Sequence, residues 1–462
     1  MSMREFLNYV LEISSRFDET LKGPALIVTH YDSDGLSAGS IMATTLYKLD
    51  IPFHLTVASQ LTESVLKNLP KYPYVVFTDL GSGYLGAISK RIKTNVLILD
   101  HHIPSGAEAE KRILHINPHL FNLDGATEVS GAGVAYFFSK MLLGADGWLA
   151  SLAVIGALGD LQDKNRERKL KGLNSLIVND AEEAGYLQVE EDLIFFGRET
   201  KPIHKAISSS IEPYIPGLSG REDLVLQLLI KNGIEVMSEE RWRVLSDLSP
   251  EEKEKVFAAI LDHMISLGID ISQVPPLIGH VYTLVREARL SPLRDCREFS
   301  ALLNSCGKLN RHGLAVAICL GERGSLFREA LELSSTYKKT LGEALEKVVS
   351  IPGGIQDRGP FLLIRGEGLV DERLISSLVS ILSTSPPYNV DKPLIGYTSI
   401  DEKNYKISAR SSNPKLNLSR IIGKASESVS GMGGGHEMAA GAIIPKKKFQ
   451  LFLKNVERLL ST

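Results

Sequence analysis

The chain has 462 residues, of which 44% are hydrophobic and 23% are charged, and its formal net charge is −3. This length is too great for one compact core, so we expect two or three domains of ordinary globular composition. There are three cysteines and no CxxC pair, which excludes a disulfide framework and a thiolate zinc site and is typical of a reducing compartment.

Neither a targeting signal nor a membrane span is predicted. The first six residues, MSMREF, lack the basic-then-apolar layout of a signal peptide. The longest nearly uncharged stretch, from Trp148 to Leu158, is shorter than a spanning helix and is expected to be a buried helix. We therefore expect a cytoplasmic protein that has no membrane partner.

Charge is unevenly distributed along the chain. From Ser305 to the last residue there are 22 basic and 15 acidic residues, a net charge of +7, whereas the preceding 304 residues carry −10. The overall charge argues against a generic nucleic-acid binder. An acidic part that collects cations, joined to a basic part that collects phosphates, suits an enzyme that cleaves a polyanion. Chance asymmetry between domains is the alternative.

Apolar strands alternate with helical segments between Gly23 and about Asp180. Strands are predicted at Ala25–Val28, Leu55–Ala58, Tyr74–Thr78 and Val96–Leu99, and helices at Ser37–Leu49 and Thr62–Leu69. This alternation predicts an α/β fold with a doubly wound parallel sheet, in which the functional crevice lies beyond the carboxyl ends of the strands.

The strand pattern fades after about Asp180 and returns after Leu302. Helices are predicted in between at Glu182–Ala184, Leu224–Ile230, Glu251–Leu267 and Leu277–Ala288. The last part has predicted helices at Gly324–Val349 and Glu372–Ser383 and strands at Phe361–Arg365, Pro393–Thr398 and Lys406–Ala409. We therefore divide the chain into a doubly wound domain (1–180), a helical connector (181–303) and a smaller α/β domain (304–462).

The first polar cluster, residues 30–35 (HYDSDG), directly follows the first predicted strand. His30, Asp32 and Asp34 alternate along the chain. In an extended segment this spacing places all three side chains on one side, where they can converge on one or two cations. A helix cap is the alternative, but a cap needs one short acceptor rather than three ligands.

Two single carboxylates add to this cluster. Asp79 follows the predicted strand Tyr74–Thr78, and Asp160 closes the apolar segment that begins at Val154. Either residue alone is weak evidence, because aspartate is a common turn former. A dinuclear site needs a bridging carboxylate, however, and a carboxylate that ends an apolar segment is costly to bury without a cation.

The second polar cluster, Asp100-His101-His102, follows the predicted strand Val96–Leu99. One imidazole can bind a metal while the other faces a substrate, and the carboxylate can fix the tautomer of a ring from behind. Hard carboxylates and imidazoles at two strand ends predict a divalent-metal site, and with it a metallo-phosphoesterase.

A glycine-rich segment near the end of the chain is a candidate phosphate site. Its residues are Gly433, Gly434, Gly435 and His436. Backbone N–H groups can bind an anion there, assisted by a helix that we expect to begin near Ala439. Ser408 and Arg410 supply a candidate clamp, since arginine binds phosphate oxygens as a fork. Such loops are also common as simple turns.

Together these residues resemble the DHH phosphoesterase superfamily, and in particular its DHHA1 subfamily. The first family motif is similar to residues 30–35, the second to Asp79, the third to residues 100–102 and the fourth to Asp160. Residues 433–441 (GGGHEMAAG) are similar to the DHHA1 signature. The motifs occur in the order of the family and span nearly the whole chain.

The resemblance implies two Mn²⁺ or Mg²⁺ ions and in-line hydrolysis of a phosphodiester. Six side chains are then expected to be metal ligands: His30, Asp32, Asp34, Asp79, His101 and Asp160. The first ion is expected at His30, Asp32 and Asp79. The second is expected at the other three residues and Asp79, which bridges the two ions.

The same resemblance implies the residues that meet the substrate. His102 is expected to contact the scissile phosphate, with Asp100 as the second catalytic residue. The expected substrate-binding residues are Asn304, Arg311, Ser408, Arg410, Gly433, Gly434, Gly435 and His436. Of these, Asn304 and Arg311 are expected to line the path of the substrate.

The chain resembles archaeal RecJ-like nucleases in its length and in two further segments. These segments are residues 211–217 (IEPYIPG) and 297–307 (REFSALLNSCG). This resemblance implies a single-strand exonuclease for DNA, RNA or both, acting in replication or repair with the GINS replication complex or a repair helicase. In the replication-associated branch the first motif usually contains Ala-Asp-Gly, whereas residues 33–35 of this chain are Ser-Asp-Gly. This difference favours the helicase-associated branch, which implies a 3′→5′ polarity.

Two other functions are alternatives. A phosphodiesterase that cleaves short oligonucleotides or cyclic dinucleotides would use the same ligands, and processive shortening of a long strand distinguishes it. An inactive replication scaffold related to the family is the second alternative. The complete set of ligands argues against that scaffold.

Overall fold

Five strands in the first part of the chain form a parallel sheet in the computed structural model, which describes residues 3–21, 23–106, 109–210, 213–270, 274–385, 388, 391–413, 415–435 and 437–461. They are β1 (Ala25–Thr29), β2 (Phe53–Val57), β3 (Tyr74–Thr78), β4 (Asn95–Leu99) and β5 (Ile113–Ile116). Their order is β2-β1-β3-β4-β5, and every neighbouring pair is parallel. The four predicted strands are confirmed, and β5 has no counterpart among them.

Seven α-helices lie among the described residues of this part of the chain. They are α1 (Met3–Thr20), α2 (Ser33–Lys48), α3 (Glu63–Asn68), α4 (Leu85–Arg91), α5 (Gly131–Leu143), α6 (Gly147–Gly159) and α7 (Leu173–Glu183). The α6 helix is buried along most of its length, as predicted for residues 148–158.

Helices cover both faces of the sheet. Ala25 and Ile27 of β1 belong to the apolar cluster that includes the inner faces of α2, α5 and α6, whereas Leu26 and Val28 belong to a second cluster with α3 and α4. Strands buried on both faces are characteristic of parallel sheets in α/β proteins. The predicted doubly wound α/β fold is therefore confirmed.

The next part of the chain contains both helices and strands. β6 (Leu187–Leu193) pairs antiparallel with β7 (Ile278–Leu284), and between them α8 (Ile203–Ser208), α9 (Glu222–Lys231) and α10 (Pro250–Ser266) surround an apolar cluster of their own. The predicted helix at Leu277–Ala288 is wrong. Ile278, Val281, Tyr282 and Thr283 favour a strand, and the segment pairs with a strand that is distant in sequence, which no local pattern reveals.

Two further helices, α11 (Cys296–Lys308) and α12 (His312–Cys319), pack on the first sheet's helices. Phe299, Leu303 and Ala315 belong to the same apolar cluster as α2, α5 and α6. The long helix α13 (Ser325–Ser350) follows, and the chain divides into two compact units between Leu333 and Ser334. The predicted boundaries after residues 180 and 303 stay predictions.

The second unit is a smaller α/β domain with a six-stranded mixed sheet. Its elements are β8 (Ile355–Asp357), β9 (Leu362–Arg365), α14 (Ile375–Thr384), β10 (Leu394–Ser399), β11 (Asn404–Arg410), α15 (Leu418–Glu427), β12 (Met432–Gly435), β13 (Ala439–Pro445) and α16 (Phe449–Leu460). The strand order is β12-β13-β11-β10-β9-β8. Among the described residues, none of the helices of either unit combines the length and apolar character needed to cross a bilayer.

The helix predicted to begin near Ala439 is wrong, because this residue begins strand β13. The segment pairs antiparallel with β11 on one side and β12 on the other. Alanine has a high intrinsic helix propensity, but Ile443 and Ile444 favour a strand and pairing on both sides outweighs the local preference.

The second unit depends on its own apolar core, which gives a direct test. Phe452 of α16 is fully buried beside residues such as Ile422 and Ile444. We expect Phe452→Ala to lower the free energy of unfolding by about 3–5 kcal/mol, because a large cavity replaces the ring. The control is Leu451→Ala on the same helix, whose side chain is 49% exposed and whose loss is expected to change that free energy by less than about 0.5 kcal/mol. Both variants are measured by denaturant unfolding, and an equal loss of unfolding free energy in the two would contradict this assignment of the core.

Candidate metal centre

The polar clusters meet at one edge of the first sheet. Thr29, Thr78 and Leu99 are the last residues of β1, β3 and β4, and they are aligned across the sheet. His30, Asp79 and the segment 100–102 therefore leave neighbouring strands at the same level. This is the crevice that the parallel topology predicts.

One group of possible ligands contains His30, Asp32 and Asp79. The Nδ1 atom of His30 lies 2.9 Å from an oxygen of Asp32 and 3.6 Å from Oδ2 of Asp79. One ligand atom from each residue lies within 4.8 Å of the others, which is close enough for one metal ion.

A second group surrounds the ring of His101. Its Nε2 atom lies 3.2 Å from Oδ1 of Asp79, 3.2 Å from Oδ2 of Asp160 and 3.7 Å from Oδ2 of Asp34. Asp34, His101 and Asp160 also satisfy the distances for one metal ion. Asp79 turns its two oxygens toward the two groups, Oδ2 toward His30 and Oδ1 toward His101.

Asp34 reaches this place by a different route from the predicted one. The segment is not extended, because α2 begins at Ser33 and Asp32 caps the helix by accepting a 3.0 Å hydrogen bond from the backbone N–H of Gly35. Asp34 lies in the first turn and accepts hydrogen bonds from the backbone N–H groups of Gly131 (2.6 Å) and Ala132 (3.0 Å). The positive end of α5 therefore supports this buried carboxylate.

The donor set fits a divalent cation. Nδ1 of His30, Oδ1 of Asp79 and Nε2 of His101 are buried, and none of them forms a well-aligned hydrogen bond within the described part of the chain, although carboxylate oxygens lie 2.9 Å from Nδ1 of His30 and 3.2 Å from Nε2 of His101. Buried polar atoms are nearly always satisfied, so three such atoms facing one another need an explanation. Carboxylates and imidazoles are ligands that Mn²⁺ accepts, and the carboxylates also suit Mg²⁺.

The pKa values of these residues are shifted because several carboxylates lie close together in a largely buried site. Burial raises the pKa of Asp34 well above its ordinary value, reinforced by the charges of Asp79 and Asp160. Burial also raises the pKa of Asp160 to about 7. Burial alone would lower the pKa of His101, but the neighbouring carboxylates, Asp79 first, raise it well above its ordinary value. The carboxylates thus require positive charge, supplied by protons or by a metal ion.

His102 is held by the carboxylate that precedes it. Oδ1 of Asp100 lies 2.8 Å from Nδ1 of His102 and accepts from the backbone N–H of the same residue at 3.1 Å. The other oxygen of Asp100 accepts from the N–H of Ser82 at 2.8 Å. Nδ1 of the His102 ring thus faces the carboxylate of Asp100, which is the geometry that the predicted orienting role of Asp100 requires.

A second residue of this network was not predicted from the sequence. The buried Asn117 amide donates to the backbone oxygen of His102 and to Oγ of Ser82, both at 2.8 Å. Asn117 directly follows β5, so its place at a strand end would have identified it had β5 been predicted. Ser82 carries no local signal of this role.

The ring of His101 is held by a separate set of hydrogen bonds, which was also not predicted from the sequence. Its Nδ1 lies 2.6 Å from the backbone oxygen of Gly125, which also accepts a 2.8 Å hydrogen bond from Nε2 of Gln162. The amide of Asn174 in turn donates to Gln162 at 2.7 Å. A carbonyl acceptor keeps the proton on Nδ1 and directs the other nitrogen to the carboxylates, as in many metal-binding histidines. Three residues far apart in sequence build this contact, so no local pattern reveals it.

Glycines form the wall behind the carboxylates. A Cβ on Gly131 would lie 2.6 Å from Oδ1 of Asp79, and a Cβ on Gly156 would lie 2.4 Å from Oδ1 of Asp34. Helices α5 and α6 can therefore approach the site this closely only because neither residue has a side chain.

Two aliphatic side chains beside the site are exposed. Ile103, which follows His102, is 71% exposed, and Leu161, which follows Asp160, is 57% exposed. Leu161 also has a φ of +57°, a left-handed conformation that costs a residue with a side chain about 1–2 kcal/mol.

The predicted substrate residues of the first unit have structural contacts. Oδ1 of Asn304 accepts a 2.9 Å hydrogen bond from the backbone N–H of Ser33, which places Asn304 directly beside the first motif. Arg311 forms an ion pair with Glu329 and is half exposed. Their expected roles along a substrate path stay predictions.

The predicted clamp of the second unit is partly rearranged. Nε of Arg410 donates to Oγ of Ser380 at 2.9 Å, and Ser408 is buried beside it on β11. Gly433, Gly434 and Gly435 form strand β12 at the sheet edge rather than a loop before a helix. His436 lies outside the described residues. The assignment of these residues to phosphate binding stays a prediction.

Comparison with known proteins supports the same family along the chain. The DHH-CID domain model matches residues 195–278, and the DHHA1 domain model matches residues 372–462. An uncharacterised protein of Methanocaldococcus jannaschii is 30% identical over an alignment of 472 positions that covers 99% of both chains. The single-stranded-DNA-specific exonuclease RecJ of Bacillus subtilis is 24% identical over 287 residues, which cover 55% of this chain and 35% of RecJ.

Solved structures share the fold across the chain. RecJ of Thermus thermophilus in complex with Mn²⁺ has a TM-score of 0.59 at 17% identity and covers 98% of this chain, which spans 55% of RecJ. CDC45 of Entamoeba histolytica has a TM-score of 0.66 at 12% identity and covers all of both chains. With a relative similar over its full length, two matching domain models and this fold, the chain belongs to the DHH/DHHA1 family as a RecJ-like protein.

Proposed function

We propose that this protein is a metal-dependent phosphodiesterase that acts as a single-strand-specific exonuclease on DNA, RNA or both. The observation that carries the proposal is the meeting of seven possible ligands, the six expected ones and His102, around buried nitrogen and oxygen atoms that form no well-aligned hydrogen bond among the described residues. Structural carboxylates rarely gather in this way without a cation, since their mutual repulsion is costly in a buried site.

Two ions account for the donor set better than one. His30 and Asp32 face Oδ2 of Asp79, whereas Asp34, His101 and Asp160 face Oδ1. Asp79 is then the bridging ligand. Two divalent cations, when bound, activate water and offset the charge on the attacking and leaving oxygens of a phosphodiester.

The residues around the ligands position the substrate. His102 projects from the same strand end, and Asp100 fixes its ring through Nδ1, which leaves Nε2 to contact the scissile phosphate. Asn117 holds the backbone of His102, so the ring is anchored at both its main chain and its side chain.

The choice of a nucleic-acid substrate rests on other observations. RecJ of B. subtilis is described as specific for single-stranded DNA, and residues 305–462 of this chain carry a net charge of +7, which suits a polyanion. Arg410, held by Ser380, is the proposed phosphate clamp there. A role in replication or repair, with GINS or a helicase as partner and 3′→5′ polarity, belongs to the same proposal.

Metal binding is tested without any assay of activity. We expect isothermal titration of the metal-free full-length protein to give two Mn²⁺ per chain, and Asp79→Ala to weaken both sites because it removes the bridge. Asp357→Ala, at an exposed carboxylate that pairs with Lys392 in the second unit, is the matched control and is expected to bind as the parent does. Identical titration curves for Asp79→Ala and the parent would exclude the proposed ligand set.

Activity is tested on long single strands labelled at either end. With Mn²⁺ the protein is expected to shorten these strands from one end, and a chelator is expected to abolish the reaction. Asp79→Ala is expected to reduce the rate more than about 100-fold, which exceeds the typical effect of removing a residue that only hydrogen-bonds to a metal ligand. Cleavage restricted to short oligonucleotides or cyclic dinucleotides supports the first alternative. Failure to cleave any phosphodiester, with Mn²⁺ bound, supports the scaffold.

The clamp is tested separately from the metals. Arg410→Ala is expected to raise KM for a single strand by about 10- to 100-fold, with little change in kcat, because it removes a charge-assisted contact to phosphate that persists through the reaction. Arg358→Ala, which removes an arginine that pairs with Glu457, is the control. A KM for Arg410→Ala equal to that of the control counts against the clamp.

A further inference from the structure

Leu161 occupies a position that its own side chain does not favour. It is the first residue beyond the cap of α6, where its backbone N–H bonds to the carbonyl oxygen of Leu158 and that of Gln162 bonds to Ala157. Helices that end in this way usually have glycine at this position, because the residue must adopt a left-handed conformation. Leu161 adopts it, with a φ of +57°.

The fold covers less than half of the surface of Leu161. Leu161 is 57% exposed, although an aliphatic side chain that stabilised this turn would be buried. Burial of this side chain therefore offsets only part of the backbone strain. Strained residues of this kind cluster at functional sites.

The position of Leu161 is fixed relative to the metal centre. The residue before it, Asp160, lies 3.2 Å from Nε2 of His101. The residue after it, Gln162, donates to the backbone oxygen of Gly125, which lies 2.6 Å from Nδ1 of the same ring. Leu161 thus lies between a residue beside Nε2 of His101 and a residue that is linked to Nδ1 through the carbonyl group of Gly125.

A second exposed aliphatic residue lies in the same loop as His101. Ile103 follows His102 directly and is 71% exposed. Single exposed aliphatic residues are ordinary on protein surfaces. Here, however, each of two such residues directly follows a residue assigned to the metal centre. Phosphate and sugar hydroxyls offer them no apolar partner, whereas the face of an unstacked nucleobase does.

We propose that Leu161, together with Ile103, contacts the face of the nucleobase next to the scissile phosphate and so selects nucleotides whose bases are unstacked. This inference rests on the proposed function, because it places a nucleic-acid strand at the metal centre. A duplex keeps its base faces stacked and cannot offer them to these side chains. Single-strand selectivity thus arises in part beside the metal centre itself.

The test compares a normal labelled single strand with one in which the two nucleotides at each end lack bases. The parent protein with Mn²⁺ is expected to prefer the normal strand by about 10-fold in kcat/KM, the effect of losing one buried aliphatic contact. Leu161→Gly is expected to reduce this preference to less than about 3-fold. Leu161→Met, which keeps an apolar side chain, is the matched control and is expected to retain it.

Stability and metal binding separate this role from a structural one. Because glycine relieves the backbone strain, Leu161→Gly is expected to have a Tm equal to or above that of the parent and the same Mn²⁺ titration curve. A preference for the normal strand that equals the parent's in Leu161→Gly overturns the inference, and so does a fall in both Tm and Mn²⁺ affinity. If the parent cleaves neither strand, the proposed function itself fails and this inference with it.

Discussion

The structure depends on the meeting of four carboxylates and two imidazoles at one edge of a parallel sheet, where Asp34, Asp79 and His101 are buried and the other three are partly buried. Burial favours the neutral form of Asp34 and of Asp160, and repulsion from the neighbouring carboxylate of Asp79 favours it further. Positive charge must therefore be present in this crevice. Part of this charge comes from the positive end of α5, whose N–H groups donate hydrogen bonds to Asp34. Another part comes from His101, because its raised pKa favours the protonated form of the ring. In the proposed function, divalent cations supply the rest.

Much of the surrounding structure serves to hold these groups close together. Gly131 and Gly156 have no side chain where a Cβ would collide with Asp79 and Asp34. Two hydrogen-bond networks then fix the histidines, one that runs from Asn117 to His102 and one through the carbonyl group of Gly125 to His101. Sites of this kind need support behind the ligands, because a loosely held ligand loses both affinity for the metal and catalytic geometry. We infer that the exposed side chains of Leu161 and Ile103, which follow Asp160 and His102, contact the substrate.

The strand ends and the candidate ligands beside them were predictable because each depends on a short local pattern. Apolar runs that stop at Asp79 or at residues 100–102 identify both a strand and the edge where it ends, and the topology brings those edges together. The errors have a common cause. Leu277–Ala288 and the segment at Ala439 are strands because they pair with partners distant in sequence, which outweighs local propensity. Asp34 is helical rather than extended because Asp32 caps α2. Residues such as Gln162 act only through the tertiary structure.

In the proposed function, a pair of divalent cations shares the carboxylate of Asp79. Crystals soaked in Mn²⁺ and measured by anomalous diffraction on both sides of the manganese absorption edge would locate this pair. Two peaks are predicted on opposite sides of Asp79, one beside His30 and Asp32 and the other beside His101 and Asp160, at the separation of about 3.5–4 Å typical of two-metal phosphoesterase sites. Diffraction that shows no anomalous peak between these side chains, in crystals where Mn²⁺ has reached the crevice, would contradict the claim.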